Sequence, residues 1–302
     1  MRVLVTGATG FVGRRLVPAL VDADHEVTVL VRDAGRYDPP PGVRVVEGDL
    51  LDPPSYAAAL DVDAAYYLVH SMTARDDFAA RDRQAASGFA RAASDAGVER
   101  VVYLGGLGED RDHLSTHLRS RREVERVLAT GTYALTTLRA AIVVGAGSAG
   151  FETIRQLATR LPVMVTPRWV RTPCQPVAID DAIAYLVGVL DVPETAGETY
   201  EIGGPEVLTY AEMLRRTGRQ LGREPIVLPV PVLTPRLSAY WVGLMTDVSP
   251  RVARALIAGL KNPVVVRDDR LRDLVPVEPT PFDEAVRRAL SREGPRADAA
   301  PA

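Results

Sequence analysis

One cysteine, Cys174, in 302 residues excludes an intrachain disulfide framework and any metal cluster held by cysteines. Neither sign of charge dominates. The 36 Lys and Arg residues stand against 39 Asp and Glu, a net charge of -3, so nothing draws the chain electrostatically to nucleic acid, and no nucleic-acid partner is expected. No run of ~18 apolar residues occurs, so no transmembrane segment is expected. Glycines interrupt the start MRVLVTGATG too early for a signal peptide. There is no internal repeat and no low-complexity tract. These absences suit a reducing, cytoplasmic location. What is present is an ordinary soluble composition, 47% hydrophobic and 25% charged, which can fill a sizeable core.

The first half alternates short β-branched runs with helical patterns, the order that builds an α/β doubly wound parallel sheet. Strands are expected at RVLVT, EVTVLV, VRVVEG, AAYYLVH, RVVYLG and YALTTLRAAIVVG. Helices are expected at FVGRRLVPALVDA, over 76–96, around STHLRSRREVE, and at AIDDAIAYLVGVL, which has an acidic start and a 3.6-residue apolar period. The proline-punctuated LPVMVTPRWVRTPCQP reads as a loop or lobe entrance, and beyond TYEIGG the pattern is helical pieces between prolines. The expected organisation is a dinucleotide-binding domain over 1–160, with 176–203 returning to it. A smaller, mainly helical C-terminal lobe would take 161–175 and 204–290, and 291–302 would be a flexible tail.

VTGATGFVG places Gly7, Gly10 and Gly13 between the first strand and the first helix. The first glycine allows a sharp turn, the second lets backbone amides approach a diphosphate, and the third lets the helix pack close to the sheet. A lone glycine pattern is weak evidence, but a strand before it and an apolar helix after it supply the Rossmann-type context. At the end of the second strand, VTVLVRD carries Arg32, with Arg36 close behind, where an NAD site usually has an acid. A guanidinium there suits a 2′-phosphate, so NADP(H) is preferred, with NAD(H) as the alternative. Asp33 could engage Arg32 or serve a hydroxyl itself. Asp49 and Leu50, in EGDLLD, stand where an adenine would lie, with a plain turn as the other reading of Asp49.

With TGATGFVG, GDLLDP, YYLVHSM, VVYLGGLG, LSTHLRSRREVE, LRAAIVVGAGS and PRWV on view, the chain resembles the atypical short-chain dehydrogenase/reductases that bind NAD(P)H. The resemblance extends to the NmrA-like regulators and the accessory subunit of respiratory complex I, and runs to about residue 290. It implies that Gly7, Thr9, Gly10, Phe11, Val12 and Gly13 form the diphosphate loop. It also implies Arg32 at the 2′-phosphate, and Asp49 and Leu50 at the adenine. Val69, His70 and Ser71 would line the ribose and nicotinamide, and Ala140, Ala141 and Ile142 would hold the nicotinamide amide.

The active reductases of this superfamily use a tyrosine, a lysine four residues later, and a serine ending the fifth strand. Here His117 and Arg121 keep the i, i+4 spacing on one helix face, while the fifth strand ends in Gly105 and Gly106. Arg121 stays charged and can hold a ribose or phosphate oxygen. His117 titrates near neutrality, and reads as a substitute acid/base, as a polar residue facing the dinucleotide, or as a solvated helix residue. Ser115, Ser120 and Tyr103 are candidates to replace the lost hydroxyls. His113 and His117 have no carboxylate or cysteine partner at a matching spacing, so no metal is expected.

In the second lobe, Trp241, Leu244 and Met245 either wall an apolar pocket or simply pack the lobe. SPRVARALIAGLK is a basic, amphipathic stretch that would suit peripheral membrane contact. Two functions stay open. One is an oxidoreductase acting on a small apolar carbonyl, alcohol or quinone. The other is a catalytically silent dinucleotide-binding sensor, regulator or accessory protein with a protein partner. A homodimer through the helices near 76–96 and 115–130 is compatible with either.

Overall fold

The computed structural model describes residues 1–70, 78–108, 116–230, 247 and 262–291. Trp241, Leu244, Met245, SPRVARALIAGLK and the 291–302 tail beyond Ser291 lie outside the described residues. In chain order the elements are β1 (Arg2–Thr6), α1 (Gly13–Asp22), β2 (Glu26–Val31), β3 (Arg44–Glu47), β4 (Ala64–Tyr67) and α2 (Phe78–Asp95). Then come β5 (Arg100–Gly106), α3 (Thr116–Leu128), β6 (Ala134–Ala140), β7 (Val143–Val144), α4 (Ala149–Arg160) and β8 (Val163–Pro167). They are followed by β9 (Pro173–Cys174), β10 (Val177–Ala178), α5 (Ile179–Asp191), β11 (Thr199–Ile202), β12 (Leu208–Thr209), α6 (Tyr210–Gln220) and β13 (Ile226–Val230).

Two compact units result. The first comprises Met1–Ala140, Asp180–Ile202 and Val266–Glu278, and the second comprises Ala141–Ile179, Gly203–Val265 and Pro279–Ala302. Residues 141–160, expected with the first domain, thus cluster with the second unit, and 266–278 cluster with the first.

The first unit carries a seven-stranded sheet in the order β11-β6-β5-β4-β1-β2-β3, and every neighbouring pair is parallel. A parallel sheet covered on both faces wants continuous apolar strands, and RVLVT and EVTVLV are buried at every position after the first. One layer of core gathers Leu4, Leu60, Tyr67, Phe89, Tyr103 and Leu128. There the Tyr67 and Phe89 rings meet edge-on with centroids 5.1 Å apart. α5 is tied to the sheet by the buried Tyr66 hydroxyl, which donates to the Leu186 carbonyl at 2.6 Å.

Arg100 opens β5 and is buried. Its guanidinium donates to Thr136 Oγ1 at 3.2 and 3.1 Å, to the Leu190 carbonyl at 3.4 Å, and to Thr195 Oγ1. Burial pulls its pKa down from the usual value. It crosslinks β5, β6 and the C-terminal end of α5, where a cation opposes the helix dipole. Arg100→Ala is expected to destabilise the chain by about 3 kcal/mol in urea unfolding, since each buried acceptor left unpaired costs ~1–3 kcal/mol.

The second unit is built from α4, α6 and the helix Phe282–Ser291, with three two-stranded pairs. These pairs are β7 with β10, β9 with β12, and β8 with β13. α6 starts in a capping box, with Thr209 accepting from the Glu212 amide and Glu212 accepting from the Thr209 amide. Arg216 bridges Glu206 at 2.6 Å and Asp283 at 2.8 Å, fixing α6 to the last helix. Cys174 is buried and its thiol is pushed up to about 11 by desolvation, which makes it a packing residue.

Two expectations need correction. Residues 163–167, read as loop, form β8, and 226–230, read among helical pieces, form β13. The two pair in parallel from Ile226↔Val163 to Val230↔Pro167. The prolines stand at positions that a two-stranded pair tolerates because each strand has a free edge. Within YALTTLRAAIVVG, β6 ends at Ala140 and β7 begins at Val143.

Candidate functional site

The parallel sheet reverses its winding between β1 and β4, so the chain leaves these two strands in opposite directions at their carboxyl ends. A crevice opens at such a switch point, and ligands of open α/β sheets bind there. The turn out of β1 is the glycine loop. Gly7 adopts φ +74°, and a Cβ on it would touch the Leu68 carbonyl carbon at 3.0 Å. A Cβ on Gly13 would fall 2.2 Å from the Gly7 oxygen and 2.7 Å from Ala8 Cα, so only glycine fits. Thr9 and Gly10 are exposed, and Phe11 and Val12 are partly exposed. α1 has neither a side-chain cap nor an acid in its first turn. Its N-terminal amides therefore face the loop with their positive end uncompensated by side chains, which suits an anionic diphosphate. Arg15 is turned to its own loop, lying 4.6 Å over the Phe11 ring and donating to the Phe11 carbonyl at 2.7 Å.

At the end of β2, Asp33 caps a short turn by accepting from the Gly35 amide at 3.1 Å and pairs with Arg36 at 3.2 Å. Asp33 therefore pairs with Arg36, and Arg32 is exposed with no ion-pair partner among the described residues. Beside it, Asp49 is exposed, and its Oδ1 accepts from the Leu51 amide at 2.9 Å. Leu50 is buried in the core that contains Tyr56 and Phe89.

The end of β4 is locked to the end of β1. Thr6 Oγ1 donates to the Tyr66 carbonyl at 3.0 Å and accepts from the Leu68 amide at 3.3 Å. That side-chain bond takes the place of a ladder bond, and β4 stops at Tyr67, short of the expected His70. Val69 packs on the core. His70 Nδ1 lies 2.9 Å from Asp82 Oδ2, with the two side chains 12% and 4% exposed. Burial is the largest influence on the His70 pKa and lowers it. The Arg121 charge lowers it further, while Asp82 acts in the other direction. Burial and Arg121 thus favour the neutral imidazole, against the pull of the Asp82 carboxylate.

α3 packs on α2 and β5. Arg121 Nη1 donates to the Leu104 carbonyl at 3.4 Å, and its Nε is a buried donor without an acceptor among the described residues. The glycines ending β5 have a steric reason. A Cβ on Gly106 would meet Leu118 Cδ2 at 2.9 Å and Arg121 Cδ at 3.2 Å, so the leucine and arginine side chains occupy the room a serine would need. Tyr103 does not replace the hydroxyl, because it donates to the Arg121 carbonyl at 3.2 Å and burial pushes its pKa up to about 12. Ser120 is buried on α3. His117 falls in the first turn of α3 but its side chain lies outside the described residues, as do Ser71, His113 and Ser115 entirely. Ala140 ends β6, and its carbonyl accepts from the Leu107 amide at 2.8 Å. Ala141 and Ile142 belong to the second unit.

The structure thus brings together the glycine loop, His70 and Arg121, and adds Asp82, which sequence reading missed. A signal was available. On α2 the buried positions Ala85, Ala86, Phe89, Ala90 and Ala93 form a 3.6-residue stripe. Carried back one turn, that stripe lands on Asp82, so a carboxylate sits where the pattern demands an apolar residue.

Residues 7–144 match the family described as NAD(P)H-binding. The 3-diazoavenalumate denitrifying reductase of a Streptomyces species is 30% identical over 276 residues, covering 80% of this chain and 88% of that protein. Subunit 9 of the NADH dehydrogenase [ubiquinone] 1 alpha subcomplex from Arabidopsis thaliana mitochondria is 26% identical over 245 residues, covering 76% of this chain and 60% of that protein. Among solved structures, a nucleoside-diphosphate-sugar epimerase from Staphylococcus aureus shares the fold. Its TM-score is 0.75 at 16% identity, over 95% of this chain and 99% of that one. No helix among the described residues is long and apolar enough to cross a membrane. The glycine cradle, the sheet order and these matches agree: the chain belongs to the atypical NAD(P)H-binding short-chain dehydrogenase/reductase family.

Proposed function

We propose that the protein is an NADP(H)-dependent oxidoreductase acting on a small apolar carbonyl, alcohol or quinone. The observation that carries the cofactor choice is the end of β2, where the acid is spent on Arg36 and on a backbone amide while Arg32 stands exposed and unpaired among the described residues. The loop from Gly7 to Gly13 binds the diphosphate, and Arg32 pairs with the 2′-phosphate. Asp49 lies beside the adenine, its second carboxylate oxygen serving the exocyclic amine. Leu50 backs this site from the core. Arg121 takes over the ribose contact that a lysine makes in active relatives, and His117 holds the tyrosine's place in α3. When bound, the nicotinamide supplies or accepts a hydride. The reductase relative supports turnover.

A second reading is favoured by one feature. With Arg121 and Leu118 filling the space at Gly106, no hydroxyl polarises a substrate oxygen from β5, and a donor of that kind is worth ~2.7–4 kcal/mol in other oxyanion sites. On that reading the chain binds the dinucleotide and serves a protein partner, like the Arabidopsis subunit. Following NADPH absorbance against a panel of apolar aldehydes, ketones and quinones separates the two. Consumption above background with at least one class is the expected result. Tight NADPH binding without consumption across the panel overturns the oxidoreductase reading in favour of the second.

A further inference from the structure

We propose that Arg15 is a positioning residue for the dinucleotide: its grip on Phe11 sets the direction of the Val12 amide that meets the diphosphate. This rests on the reading of the Gly7–Gly13 loop as the diphosphate site. Arg15 reaches back one turn along α1 and holds residue 11 at two points. Its Nη1 donates to the Phe11 carbonyl at 2.7 Å, and its guanidinium carbon lies 4.6 Å over the Phe11 ring. The helix itself leaves that carbonyl unused. Its ladder begins one residue later, where the Val12 carbonyl accepts from the Arg15 and Leu16 amides, each at 3.0 Å. Arg14 differs, because the Gly10 carbonyl that its Nε meets at 3.3 Å is already held by the Arg14 amide at 3.1 Å.

The Phe11 carbonyl and the Val12 amide belong to one peptide unit. That unit is planar and trans, so its N–H points opposite to its C=O. A carbonyl drawn along α1 toward Arg15 therefore turns the Val12 N–H out of the N-terminal end of the helix. Among the described residues neither the Phe11 amide nor the Val12 amide meets an acceptor, which leaves both donors for a ligand. Phe11 and Val12 are partly exposed and follow Gly10, which has no side chain to stiffen the backbone. Without Arg15 the Phe11–Val12 peptide would be free to rotate, and the ligand would have to order it on binding. Holding it beforehand shifts that ordering from binding to folding. The diphosphate is common to NADPH and NADH, so the brace serves both dinucleotides alike, unlike Arg32.

Amide ¹⁵N relaxation on the full chain without cofactor tests the brace, and calorimetric titration with NADPH and NADH tests its use. Arg15→Met keeps an unbranched stem while removing the donors and the charge. In wild type the Val12 amide is expected to be as rigid as the sheet, with an order parameter of about 0.85, falling toward ~0.6 in Arg15→Met. Both dinucleotides should lose about fivefold to tenfold in affinity, by the same factor. That factor should hold at low and at high salt, because the brace is a contact within the protein. Arg15→Lys, which can donate to the carbonyl and set a cation over the ring, should restore most of both effects. An unchanged Val12 amide in Arg15→Met alongside weakened binding would mean that the guanidinium meets the diphosphate itself, and would overturn the proposal. So would a loss confined to NADPH, or one that disappears at high salt. Should the wild-type chain give no heat with either dinucleotide, the diphosphate reading fails and the positioning role falls with it. Should wild type bind both and Arg15→Met bind them equally well, that reading stands and the Arg15 assignment alone fails.

Discussion

Gly13→Ala is expected to cripple dinucleotide binding and to destabilise the fold together. A methyl group at this position would lie 2.2 Å from the Gly7 oxygen and 2.7 Å from Ala8 Cα, and both obstacles are backbone. No flexible side chain can swing aside, so either α1 shifts away from the sheet or the loop around Gly7 deforms. Overpacking of a tight site costs ~1–3 kcal/mol, and a contact this short with main chain belongs at the upper end. Because the deformation falls on the amides that would grip the diphosphate, NADPH affinity should drop at least about tenfold, equivalent to ~1.4 kcal/mol. Urea unfolding and calorimetric titration measure the two effects separately. Gly10→Ala supplies a contrast. Its added Cβ would meet only the Gly7 oxygen, at 3.1 Å, so the fold should survive while the loop's approach to a ligand is obstructed.

Arg32→Ala should produce the largest selective effect. Hydrogen bonds to charged groups contribute ~1.5–3 kcal/mol, so NADPH affinity should fall by roughly 10- to 150-fold. NADH affinity should hardly change, because NADH lacks the phosphate that Arg32 meets. The fold should not notice, since Arg32 is exposed and pairs with no acid among the described residues. Arg36→Ala adds a control of opposite sense. It frees Asp33, and an unmasked carboxylate at the end of β2 should improve NADH binding relative to NADPH.

The parts of this molecule that could be read in the sequence are those governed by local rules. β1 and β2 occupy the residues that their β-branched runs announced, Arg2–Thr6 and Glu26–Val31, because a strand buried on both faces has a continuous apolar signature. The glycine motif was legible for the same reason, since Gly7 answers a local demand for a positive φ and Gly10 and Gly13 meet the backbone of Gly7 and Ala8. What was not legible depends on partners distant in the chain. β8 and β13 are short, carry prolines, and expose Val163, Ile226 and Leu228, so neither looks like a strand until the other lies beside it. β4 stops early because Thr6, some sixty residues away, takes the Leu68 amide. Asp82 sat in the stretch FAARDRQAAS among charges that suit a solvated helix, and its place on the apolar stripe of α2 was the one sign that it is buried; its neighbour His70 was not legible. The replacement of serine by Gly105 and Gly106 was visible in the sequence. The crowding of Gly106 by the Leu118 and Arg121 side chains was not.

The central claim is that the loop after β1 grips a diphosphate and that Arg32 selects the dinucleotide bearing the extra phosphate. Isothermal calorimetry of the purified chain with NADPH and with NADH, at matched ionic strength, tests it most directly. The account predicts binding of both, with NADPH tighter by about tenfold or more. Equal affinities, a preference for NADH, or no heat with either would contradict it.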